Sequence, residues 1–119
     1  MSERILVSYQ LVIEVPAPVR CVVGRLGEVE FPAGVYVYTG SARRNLEARI
    51  ARHLRPNKKL RWHIDYLLAA PGVRIGRVLR SWRDECALNQ ATEGQVLVAG
   101  FGASDCRSGC GGHLKYRGR

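Results

Sequence analysis

Tyr38, Arg49 and His53 stand close enough in sequence, and on elements of the right kind, to meet at one place. From Gly34 the chain runs as a strand in which Val35 and Val37 alternate with Tyr36 and Tyr38, and the run stops at Gly40-Ser41. A helix is then expected from about Asn45, its N-cap, to Arg55, with Leu46, Ile50 and Leu54 as an apolar stripe. Arg49 and His53 are four apart and share a face beside that stripe. A strand end therefore delivers Tyr38 to the same rim of the core as the helix delivers an arginine and a histidine. Arginine keeps its proton, so Arg49 suits holding an anion and meeting charge that develops on it. A phenol with a pKa near 10 is a weak base at neutral pH unless cations lie close, whereas His53 can relay a proton or bind phosphate.

Cations do lie close. The net charge is +9, and between Arg43 and Arg61 eight cations (Arg43, Arg44, Arg49, Arg52, Arg55, Lys58, Lys59, Arg61) accompany one acid, Glu47. Most cations of the chain are arginine, whose planar fork suits bidentate phosphate contacts. Such a stripe reads as a surface that tracks a phosphate backbone, which makes nucleic acid the expected partner, DNA in particular. Hydrolysing a phosphodiester also calls for a hard cation held by carboxylate oxygen, Mg²⁺ being the natural choice. Asp65, Asp84, Glu85, Glu93 and Asp105 are the acids beyond the first helix. Glu85 is the candidate ligand because it opens a helix after a strand rich in arginine, although an acid there also suits the helix dipole.

A softer chemistry sits in the glycine-rich tail. Cys106, Cys110 and His113 form C-x3-C-x2-H, and Cys86 supplies a possible fourth ligand for tetrahedral zinc. Four reduced, merely packed thiols are the alternative. Because a phosphodiester site prefers oxygen donors, the tail cysteines are expected to be dispensable for hydrolysis.

Tyr38-Thr39-Gly40-Ser41-Ala42, followed by Leu46, Arg49, Arg52 and His53, resembles the second half of the GIY-YIG nuclease motif. The string Gly34-Val35-Tyr36 lies on the same strand as Tyr38, so the first half-motif falls better on Ser8-Tyr9. There Val7 replaces the first glycine, and the gap to Tyr38 is longer than the family pattern, as an inserted hairpin would make it. The resemblance implies that Tyr9, Tyr38, Arg49 and His53 form a catalytic group, and that Glu85 binds a single divalent cation. Gly-Phe-Gly-Ala-Ser-Asp-Cys and the later His-Leu resemble a largely archaeal branch of that superfamily, some of whose members are joined to DNA-repair glycosylase domains.

The elements that must position these residues can be read in outline. Ile5 to Val15, Val19 to Leu26 and Val29 to Phe31 read as strands preceding the Tyr36–Tyr38 strand, in an antiparallel meander broken by Pro16 and Pro18. A second helix is expected from Trp62 to Ala70, a strand from Val73 to Trp82, a third helix from Asp84 to Glu93, and a last strand from Gln95 to Phe101. The sum is α+β: a small, mainly antiparallel sheet flanked by helices, as one domain over residues 1–119. No long apolar run suggests a membrane span or a secretory leader, so a cytoplasmic setting is expected. The function expected is a Mg²⁺-dependent, structure-selective or repair-linked nuclease. The alternatives are a nucleic-acid-binding module without turnover and a zinc-stabilised binding protein.

Overall fold

The computed structural model describes residues 5–42, 44–103, 106 and 109–119. It is α+β, with a four-stranded antiparallel sheet in the order β5-β1-β4-β6 and a separate hairpin β2-β3. β1 (Ser8–Val15) and β4 (Gly34–Ser41) form the centre, β5 (Arg74–Ser81) and β6 (Leu114–Gly118) the two ends. Among the described residues β2 (Val19–Val22) and β3 (Glu28–Phe31) pair only with each other, and Gly24–Leu26 between them makes a single 3-10 turn. The expected meander is thus corrected: the chain leaves β1, makes an inserted hairpin, and returns as β4 alongside β1. Pro16 and Pro18, which lack a ladder donor, mark the departure point.

The period-two rule decides what each face of β1 carries. Tyr9, Leu11, Ile13 and Val15 are buried in one core with Tyr36, Tyr38, Phe31, Ile50, Ile64, Leu67, Phe101 and Leu114. Gln10 and Thr39, on the opposite face, share a 3.1 Å hydrogen bond, and Gln10 also donates to Thr92 Oγ1 at 2.7 Å. Helix α3 (Glu85–Ala91) ends just before Thr92 and packs on β1 and β4. Its start is fixed by Asp84, whose side chain accepts from Ala87 N.

Helix α1 (Leu46–Leu54) lies between Asn45 and Arg55 as expected, but two details differ. Asn45 has φ 57° and ψ 42° and its side chain makes no capping bond, because a side-chain cap needs an extended backbone. Leu54, expected in the stripe, is 53% exposed, whereas His53 is buried. The helical angles explain it: with Leu46 at zero, Ile50 lies at about 40°, His53 at about −20° and Leu54 at about 80°. The buried direction runs between the first three, so a histidine occupies the core place expected of the leucine.

Helix α2 (His63–Leu68) is shorter than expected and stops before Pro71-Gly72. Residues 95–101 form no strand: Gln95 makes one isolated bridge to Tyr116, and the strand bordering β4 is β6, in the tail. Among the described residues no helix is long and apolar enough to cross a membrane.

Candidate functional site

Antiparallel pairing of β1 with β4 sets Tyr9 opposite Gly40 and Leu11 opposite Tyr38, so both tyrosines project from the same face. Their ring centroids are 6.4 Å apart. Tyr9 OH and His53 Nε2 share a 2.7 Å hydrogen bond, and the His53 ring lies 6.0 Å from that of Tyr38. Gly40 makes this possible: a Cβ there would fall 2.5 Å from both Cζ and the hydroxyl oxygen of Tyr9. Gly40→Ala is therefore expected to displace the Tyr9 ring, break its bond to His53 and destabilise the fold by about 1–3 kcal/mol. Thermal unfolding, with the His53 imidazole followed by NMR, checks this; an unchanged imidazole environment would refute it. Tyr36, on the same strand, serves the core instead, donating to Pro32 O at 2.6 Å and packing on Tyr116.

A cleft of about 220 Å³ opens over these residues. Its walls include Tyr9, Tyr38, Arg49, Trp62, His63, Glu85 and Cys106, contributed by both central strands, all three helices or their edges, and the tail. Arg49 donates to Ser41 O at 3.0 Å and its guanidinium lies 5.0 Å from the Trp62 ring centroid. Glu85 reaches the cleft from the first turn of α3. Tyr9, Tyr38, Arg49 and Glu85 are thus brought together from four elements, and His53 stands behind Tyr9. Trp62 was not read as a site residue from the sequence; its place beside Arg61 at a helix entrance was the available signal.

The electrostatics correct one expectation. Burial raises the pKa of both Tyr9 and Tyr38 and Glu85 adds to the rise, while Arg49 opposes it without prevailing. Nearby cations therefore do not turn either phenol into a base, and both stay protonated at neutral pH. Burial also lowers His53 to about 4, which keeps it neutral beside the Tyr9 hydroxyl. His63, at the start of α2, accepts from Gly102 N at 2.9 Å. Asn89, one turn after Glu85 on α3, is buried and donates to Gly112 O at 2.9 Å.

The basic stripe divides. Arg44, Arg55, Lys59 and Arg61 are exposed, and Arg43 lies outside the described residues. Arg52 is not a free cation: it makes two 3.0 Å hydrogen bonds to the buried Asp65 carboxylate and lies 4.1 Å from the Trp62 centroid. Lys58 is partly buried and donates to His53 O at 2.7 Å. Both were expected at a phosphate surface, but the fold uses them to hold α1, α2 and the loop between.

The second cluster joins α3 to the tail. Cys86, Cys106, Cys110 and His113 place one ligand atom each within 4.8 Å of one another, a group able to hold a metal ion. Cys86 Sγ lies 3.4 Å from Cys106 Sγ and 3.9 Å from His113 Nε2. Cys86 appears remote in sequence; the fold makes it the fourth member. On its other side His113 Nδ1 stands 3.5 Å from Glu85 Oε2, an ion-pair distance that falls short of a well-formed hydrogen bond. Glu85, with smaller contributions from Cys106 and Cys110, outweighs burial and raises His113 to about 9 in the metal-free protein.

Compared with protein families, residues 8–119 match the one described as Domain of unknown function DUF123. No curated protein and no solved structure matches the chain.

Proposed function

The chain belongs to the family described as Domain of unknown function DUF123, and we propose that its cleft hydrolyses phosphodiester bonds in nucleic acid, in the manner of the GIY-YIG nucleases it resembles. The observation that carries this reading is the convergence of Tyr9, Tyr38, Arg49 and Glu85 on one cleft beside exposed cations. Arg49, at the rim, holds the scissile phosphate and meets the charge that grows on it. The hydroxyls of Tyr9 and Tyr38 orient the attacking water, Tyr38 as a donor and Tyr9 as an acceptor through its oxygen, since the one Tyr9 proton goes to His53. Neutral His53 accepts from Tyr9 and so aims that hydroxyl. Water oxygen bonds to phosphorus, the bond to the leaving oxygen breaks, and the water proton passes out through solvent. Glu85 offers hard oxygen, a donor that fits Mg²⁺ with water and phosphate completing the shell. When bound, such a cation would stabilise the leaving oxygen.

The experiment is cleavage of nicked, flapped, branched and single-stranded DNA and RNA in Mg²⁺ or Mn²⁺, with binding followed in Ca²⁺. Binding without any cleavage would make the protein a nucleic-acid-binding module. A salt titration tests the surface itself. Log affinity should fall linearly with log salt, and Arg55→Ala or Lys59→Ala should each reduce the slope by about one while weakening all sequences alike. Affinity indifferent to salt would exclude the electrostatic surface.

A second reading concerns the Cys86, Cys106, Cys110 and His113 group, for which we propose zinc. Three thiols and an imidazole suit zinc, and tetrahedral zinc at about 2.3 Å from sulfur sets its ligands roughly 3.5–3.8 Å apart, near the 3.4 and 3.9 Å that separate Cys86 Sγ from Cys106 Sγ and His113 Nε2. The ion would tie α3 to the segment leading into β6. It stabilises the fold rather than replacing the cleft as the seat of hydrolysis.

A further inference from the structure

We propose that Glu85 belongs to both sites: it is the carboxylate that orients His113 toward zinc, and loading of zinc in turn fixes Glu85 at the cleft. The inference rests on the zinc reading above. His113 is 1% exposed and its backbone is tied on both sides, N to Phe101 O at 2.8 Å and O to Thr39 N at 2.9 Å. The ring therefore has little freedom. Nε2 is the nitrogen facing Cys86, which leaves Nδ1 facing Glu85 Oε2 at 3.5 Å, without a completed hydrogen bond.

A metal on Nε2 requires a neutral imidazole with its proton on Nδ1, and that proton needs an acceptor. Glu85 is the acceptor within reach. Closing the contact engages Oε2 and leaves Oε1 for the cleft that Glu85 lines. The metal holds Glu85 a second way, because Cys86 is the next residue on α3. A zinc ligand and a cleft carboxylate thus share one helical turn and one histidine. Metal loss releases both restraints on Glu85 and leaves the exposed cations untouched. The tail thiols, which read as dispensable from sequence, become part of what positions the cleft.

The test uses the full chain, purified reduced and depleted of metal, and titrated with Zn²⁺ against a chromophoric chelator. Wild type should bind one equivalent. Glu85→Ala should bind about 10- to 100-fold more weakly, with Glu85→Gln between them because its amide oxygen can still accept. The Co²⁺ adduct of each should keep the visible spectrum of a tetrahedral thiolate site, and Glu93→Ala, which removes an exposed acid just past the far end of α3, should match wild type. Equal affinity for wild type and Glu85→Ala would overturn the sharing while leaving the zinc site standing. Failure of wild type to bind zinc, or a Cys86–Cys106 disulfide in its place, would overturn the zinc reading and the sharing together. Neither readout depends on cleavage, so the nuclease reading stands or falls separately.

Discussion

Arg49→Ala and Tyr38→Phe are each expected to lower cation-dependent cleavage by about 10²-fold or more while leaving nucleic-acid affinity nearly unchanged. Arg49, one of several cations near the phosphate, has its main effect on the additional charge that develops as the phosphorus becomes pentacovalent, and Tyr38 contributes one hydroxyl to a buried group. Interactions made chiefly in the transition state appear in turnover, not in binding. Binding should persist because Arg44, Arg55, Lys59 and Arg61 remain exposed. Glu85→Gln should lose cleavage to a similar degree, but it also touches His113. Comparing the three variants separates the effects: Arg49→Ala and Tyr38→Phe should retain full zinc affinity, and Glu85→Gln should not. Single-turnover cleavage with saturating enzyme is the measurement. A variant that cleaves as fast as wild type removes its residue from the proposed mechanism.

Asp65→Ala should be the most destabilising single change outside the hydrophobic core, costing about 3–5 kcal/mol. The carboxylate is buried, accepts two hydrogen bonds from Arg52, and accepts from Arg61 N at 2.9 Å and Trp62 N at 3.0 Å. Removing it strands the Arg52 guanidinium and frees the entrance of α2. Burial alone would raise the Asp65 pKa, but the hydrogen bonds from Arg52 and the two backbone groups prevail and hold it below its usual value. A carboxylate with a depressed folded-state pKa contributes stability that is present above its unfolded pKa and is lost as pH falls through the folded value. Urea unfolding at neutral pH measures the loss, and an acid titration should show a shallower decline for Asp65→Asn than for wild type. A loss under about 1 kcal/mol would show that Arg52 finds water or another partner at no great cost.

Much of this was legible in the chain. Two-residue alternation placed Tyr38 at the end of a strand, helical spacing placed Arg49 and His53 beside it, and Asp84-Glu85 marked the start of α3. What failed did so for physical reasons. Local pattern carries no information on pairing, so the β2-β3 hairpin merged into a meander, and β6 was hidden by its glycine-rich surroundings. Leu54 fits a stripe on paper, but α1 turns the His53 side inward because Tyr9 offers the imidazole a hydrogen bond there. Arg52 is indistinguishable from its basic neighbours until Asp65 is brought against it. Cys86 is remote from the other thiols until α3 docks. Most of these misses concern a long-range contact, which composition and spacing do not encode.

The arginines of β5 have one more consequence. β5 ends the sheet and pairs only with β1 among the described residues, so its outer row of amides and carbonyls is open. An open row of that kind is a template on which a second molecule can stack its own strand. Arg74 is turned to Glu14 and Arg80 to Glu47, and Arg77 is exposed between them. Bringing two such strands side by side would crowd like charges along the shared edge and strip them of water. The spacing of these arginines is therefore expected to oppose edge-to-edge pairing of two molecules.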